Sequence, residues 1–219
     1  MLNEANRMGR KVLVIETNEA VEGSATEETS LRAALKLSAS TLKADGVPFA
    51  LGGGYALWVH GGPEPAHDVD LVVPETAVPA AVESFENAGF RIERPPEDWL
   101  FKAYVEDELV DVLHRLSGIE VNQRLIDSAE EVELLGVRIP VLPPTPIMIA
   151  KLRSLSEHYA DFAALLPAFR AVREQLDWAE ITSAVDGHPF AEAFLFLLNR
   201  LGIAEVEVSE TVRTASTSG

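Results

Sequence analysis

Apolar residues at 31, 34, 35, 37 and 42 recur at helical spacing and predict an amphipathic helix over 31–45, stopped by Gly46 and Pro48. The pattern then shortens. Phe49-Ala-Leu51 reads as a buried strand, 54–60 as a short apolar helix, and 68–73 as a strand ended by Pro74. A helix follows over 76–88, with Pro79 in its first turn and Gly89 past its end. Phe90 to Glu93 is a further strand. Residues 99–105 and 109–113 form a hairpin around 106–108, and 132–135 and 137–142 form another around Gly136.

From Thr145 the period becomes helical. Thr145-Pro146 caps and starts a helix over 147–155. A second helix is expected over 157–166, broken or kinked by Pro167. Asp177 with Glu180 opens a third, and 189–201 is a fourth, with Phe190, Phe194, Leu197, Leu198 and Leu201 on one stripe. Lys11 to Ile15 reads as a short strand, residues 16–30 as an acidic loop or arm, and the Ser/Thr-rich end as disordered. The expected fold class is α+β: an arm over 1–30, a mixed-sheet core over 31–143, a helical C-terminal domain over 144–208 and a tail over 209–219.

Composition narrows the function. With 47% hydrophobic residues in 219 the chain can bury a core. It has no cysteine, so disulfides and thiolate metal sites are excluded. No apolar run approaches the ~20 residues that span a bilayer, and Met1 to Arg10 has no signal core, so the chain is expected in the cytoplasm. A net charge of −17 opposes broad adhesion to nucleic acid or anionic membranes, while leaving room for a local basic groove.

The chemistry concentrates between residues 50 and 73. Gly52-Gly53-Gly54 lets backbone approach a ligand closely, and the helix start after it offers N–H groups to phosphate. Asp68 and Asp70 leave one face of their strand, while Val69 and Leu71 enter the core. Crowded carboxylates repel unless a cation sits between them, and hard oxygens without Cys or clustered His favour Mg²⁺ or Mn²⁺. Asp111, alone among the apolar residues of Leu109-Val-Asp-Val-Leu113, is either a third ligand or an acid on an exposed sheet face. A nucleoside triphosphate then fits between the glycine turn and the ions, and Tyr55 beside the glycines is placed to stack on its base.

Apolar-Gly-Gly, then Asp-apolar-Asp-apolar, then a lone strand Asp resembles the polymerase-β-type nucleotidyltransferase superfamily. Pro146 to Lys151 followed by Asp161 resembles its abortive-infection (AbiEii-type) branch, which includes toxins of toxin–antitoxin pairs. The resemblance spans about 47–165. It implies a mixed-sheet nucleotidyltransferase core with a C-terminal helical bundle, and metal-dependent transfer of NMP from an NTP such as ATP to an acceptor hydroxyl. The acceptor would be a tRNA end, a protein or a small molecule, and an antitoxin would be a possible protein partner. By the same resemblance Asp68, Asp70 and Asp111 hold the metals, and Asp111 helps activate the acceptor. Gly53 and Gly54 hold the triphosphate, Lys151 neutralises phosphate charge, and Asp161 positions it or the substrate. The sequence departs from relatives that carry Arg and Thr in the turn before the first Asp: Glu64 and Ala66 stand there, with His67 as a substitute contact. That departure raises a second reading, a catalytically weak nucleotide- or metal-binding module acting through a protein partner.

Overall fold

The computed structural model describes residues 24–205. The expected strand at Lys11 to Ile15, the arm up to residue 23 and the tail over 209–219 lie outside the described residues. The first helix, α1 (Ser24–Ala44), begins ahead of the expected residue 31. Ala25, Glu27 and Glu28 are good helix formers and carry the helix through a segment that Ser and Thr alone would leave as a turn. Leu31, Ala34, Leu35, Ala39 and Leu42 are buried, one stripe at three- and four-residue spacing. Gly46, at φ +67°, ends the helix, and Val47 N–H donates to Leu42 O at 3.0 Å.

The chain then runs through β1 (Ala50–Leu51), α2 (Gly53–Val59), β2 (Val69–Val72), α3 (Val78–Asn87), β3 (Arg91–Glu93), β4 (Leu100–Val105) and β5 (Glu108–Leu113). After these come β6 (Arg115–Leu116), β7 (Ile119–Glu120), α4 (Gln123–Asp127), β8 (Glu130–Leu134) and β9 (Val137–Val141). Among the described residues, seven strands form one mixed sheet in the order β3-β4-β5-β2-β1-β9-β8. β1 is antiparallel to β2, while β2 is parallel to β5 and β1 to β9. The short β6–β7 hairpin and α4 have no counterpart in the sequence expectations. Two-residue strands carry no readable period, and α4 depends on Asn122, whose Oδ1 accepts from Leu125 N–H at 3.0 Å.

Four helices follow: α5 (Pro144–Arg153), α6 (Phe162–Val172), α7 (Trp178–Ala184) and α8 (Pro189–Arg200). The helix expected at 157–166 starts instead at Phe162. Residues 156 and 159 pair through both backbone groups at 2.9 and 3.0 Å, which closes a loop ahead of it. Pro167 lies inside α6 without ending it. Proline removes one intrahelical donor, but the helix beyond it buries Ala168, Phe169 and Val172, with Phe169 edge-on to Phe194 at 5.1 Å. The helical and sheet-bearing parts share one continuous core. No described helix is long and apolar enough to cross a membrane.

Candidate active site

Strand register assembles the site. β1 pairs with β2 through Leu51 and Leu71, which lays the glycine turn over Asp70. Gly52 N–H donates to Asp70 O at 2.9 Å, and Gly54 N–H reaches Asp70 Oδ2 at 3.4 Å. Gly53 takes φ +48°, and a Cβ there would lie 1.7 Å from Asp70 Oδ2. Only glycine permits this approach. In the parallel β2–β5 pair Asp70 stands beside Asp111. Asp68 stands just before β2, which begins one residue later than the strand expected over 68–73, and joins them. The three carboxylates present oxygens all within 4.8 Å of one another.

The electrostatics of this group are unfavourable as they stand. Burial and the neighbouring Asp68 push Asp70 up to about 7, against the opposing pull of Lys151. Burial also raises Asp111, which Lys102 counters from the paired position on β4, its Nζ 3.6 Å from Asp111 Oδ1. That Oδ1 is buried and has no hydrogen-bond partner. Three close oxygens, one of them unsatisfied, fit a hard divalent cation. A testable consequence is the pH dependence of stability. Asp70 is raised in the folded state, so the native protein holds a proton that the unfolded chain has lost between about pH 4 and 7. Stability of the metal-free protein therefore falls as pH rises through that window. Melting at pH 5 and pH 8 with EDTA should show the loss. Adding Mg²⁺ or Mn²⁺ should recover it mostly at pH 8, because protons and the cation compete for the same oxygens.

A cavity of about 580 Å³ opens beside Asp70 and is lined by Gly53, Trp99, Arg115, Lys151 and Arg153 among others. Lys151 and Arg153 come from the last turn of α5. Arg153 is held by two bonds to Ala184 O at 3.0 and 2.9 Å, and Arg115 pairs with Glu75 at 3.5 Å. The structure thus brings Asp68, Asp70, Asp111, Gly53, Gly54 and Lys151 to one place.

Two candidate residues are placed differently. Tyr55 is fully buried and edge-on to Trp58, so it offers no face to a base. It lies on the core side of α2, which the adjacent glycines could not reveal. Asp161 is the N-cap of α6, its Oδ1 accepting from Ala164 N–H at 3.0 Å, and it does not line the cavity. Capping an exposed helix start fully accounts for it. Glu64 accepts two hydrogen bonds from Arg32, and His67 is exposed. Arg153, with Lys151, is the basic patch that the sequence offered for phosphate, and both line the cavity; sequence reasoning missed Trp99 and Arg115. Trp99 read simply as the start of a strand, and Arg115 of β6 gains meaning only when it meets α5 across the cavity.

The family described as "Nucleotidyl transferase of unknown function (DUF2204)" matches residues 31–193. No curated protein matches the chain in sequence. Among solved structures, ANT(2")-Ia in complex with adenylyl-2"-tobramycin is similar at TM-score 0.53 and 17% identity, over 77% of this chain and 98% of that one. A solution structure described as the antibiotic-resistance factor ANT(2'')-Ia is similar at TM-score 0.48 and 18% identity, over 80% and 94%. An antigenic nucleotidyltransferase-like protein from Paracoccidioides brasiliensis is similar at TM-score 0.48 and 16% identity, over 81% and 89%. The first of these likenesses shows a shared fold.

Proposed function

Since the chain belongs to this family of nucleotidyl transferases, we propose that it moves NMP from a nucleoside triphosphate to the hydroxyl of a small, cationic acceptor. The observation that carries the site assignment is the meeting of three carboxylates within 4.8 Å beside a cavity that also holds a lysine. Asp68, Asp70 and Asp111 would hold Mg²⁺ or Mn²⁺. Such an ion, when bound, neutralises phosphate charge and makes a coordinated hydroxyl more acidic. The hydroxyl oxygen forms a new bond to the α-phosphorus, the α–β bridging bond breaks, and pyrophosphate leaves. Asp111 would help activate the hydroxyl and accept the proton it releases. Gly53 and Gly54 bring backbone close to the triphosphate, and Lys151 offsets its charge.

Two observations favour a small cationic acceptor over tRNA. A net charge of −17 repels polyanions. The similar ANT(2")-Ia structure holds an adenylylated aminoglycoside. The test supplies each α-labelled ribonucleoside triphosphate with Mg²⁺ or Mn²⁺ and offers aminoglycosides, total tRNA and bulk protein as acceptors. Label on the aminoglycosides is the expected result. Label on tRNA or protein would instead favour a toxin-like activity and the search for an antitoxin. Metal-dependent nucleotide binding without transfer would favour the binding-module reading.

Lys151 gives a graded check. Lys151→Met keeps an unbranched apolar stem and removes the charge. It should raise KM for the triphosphate about tenfold, or ~1.4 kcal/mol, and leave KM for the acceptor unchanged. Steady-state kinetics with each substrate varied in turn would show the split.

A further inference from the structure

Behind the glycine turn lies an ion pair that the catalytic reading does not use. Arg32 of α1 donates from Nε to Glu64 Oε1 at 2.7 Å and from Nη2 to Oε2 at 2.6 Å. Both side chains are largely buried, at 21% and 18% exposure. The same guanidinium lies 5.2 Å from the centre of the Trp58 ring on α2. Arg32 therefore grips both α2 and the turn that follows it. Glu64 is next to Pro65, and Pro65 is pressed on Gly54: a Cβ at Gly54 would come within 2.7 Å of Pro65 Cβ. Gly54 in turn aims its N–H at Asp70 Oδ2. A continuous line of contacts runs from α1 through Glu64, Pro65 and Gly54 to the carboxylates.

We propose that Arg32 and Glu64 are positioning residues, a latch that holds the 61–67 turn and so fixes the glycine turn against Asp70. An exposed ion pair contributes little and tolerates loss. This one is bidentate, shielded and stacked on an aromatic ring, which makes it directional. A displacement near 1 Å at a reacting group costs roughly 10²-fold in rate, so a small slackening of the turn is expressed in kcat more than in stability.

The experiment compares Glu64→Gln, Arg32→Gln and the double variant with the wild type. Amide hydrogen exchange over residues 52–57 is followed beside a reference segment in the helical part, 189–200 of α8. We expect exchange at the glycine turn to quicken about tenfold in each single variant while the reference segment is unchanged. We expect kcat to fall about tenfold with acceptor KM unmoved, and the double variant to be no worse than either single one, as for two halves of one interaction. The kinetic arm rests on the nucleotidyl-transfer reading, whereas the exchange arm does not. A wild type without transfer, but with the localised exchange change, would sink that reading and keep the latch. Unchanged exchange at 52–57, or exchange that quickens equally in 189–200 as the protein loosens globally, would overturn the latch whatever the activity.

Discussion

Asp70→Asn is expected to remove nucleotidyl transfer, by about 10³-fold or more, and at the same time to raise the melting temperature of the metal-free protein at pH 8. The activity loss follows from the geometry. Asp70 joins Asp68 and Asp111 in a cluster whose oxygens fall within 4.8 Å, and it also receives Gly54 N–H. Losing its charge would remove one of the three carboxylates that would hold the cation. Stabilisation of several kcal/mol by a bound cation corresponds to about 10³-fold in rate. The stability gain follows from the same crowding. At pH 8 the wild type must hold a carboxylate that burial and Asp68 drive up to about 7 from an ordinary 3.8. An amide is nearly isosteric, keeps an oxygen for Gly54 N–H and carries no charge.

The gain is bounded by that displacement, at most about 4 kcal/mol, and it is smaller because Asp70 borders an open cavity. It should vanish near pH 4, below which both folded and unfolded wild-type chains are protonated. Calorimetric melting with EDTA at pH 4.5, 6 and 8, alongside transfer assays, reads both effects. A variant less stable than the wild type at pH 8 would show that Asp70 serves packing rather than ligation.

The sequence made the chemistry-bearing strands legible because each sets one carboxylate inside an apolar run. Asp70 among Val69, Leu71 and Val72, and Asp111 among Val110 and Val112, are polar positions in otherwise apolar runs. What no local pattern could supply was the register that puts Asp70 opposite Asp111, or the fact that β1 lays Gly53 over Asp70. The helices were legible as helices but not at their ends. Asp161 is chemically able to be a ligand or a cap, and the choice turns on where α6 starts, which the loop at residues 156–159 decides. Tyr55 beside the glycines suggested stacking, yet one helical step turns it into the core. Arg32 and Glu64 stand 32 positions apart. The departure at Glu64 was visible in the sequence, but its partner on α1 appears only in the folded chain.

Gly53→Ala is the substitution that should separate the geometry of the turn from its chemistry. It adds one methyl group and changes no charge. That methyl carbon would fall 1.7 Å from Asp70 Oδ2 and 2.4 Å from its Cγ, so the carboxylate must swing off the cluster or the turn must lift. The backbone also sits at φ +48°, where a residue with a Cβ pays roughly 1 kcal/mol. Gly136→Ala, at φ +76° in the turn between β8 and β9 with nothing within 4 Å of its added Cβ, carries the backbone penalty alone. We expect Gly136→Ala to lose roughly 1 kcal/mol from strain and Gly53→Ala to lose more, because its methyl also displaces Asp70. Gly53→Ala alone should lose transfer by about 10²-fold or more and lose the Mg²⁺-induced rise in melting temperature. Transfer retained in Gly53→Ala would mean that Asp70 can leave its observed position without consequence, and the three-carboxylate site would then be the wrong place to look for the reaction. Equal loss of activity in both variants would trace the effect to general destabilisation. The difference between the two glycines therefore tests whether the close approach of backbone to Asp70 exists for catalysis or only for the turn.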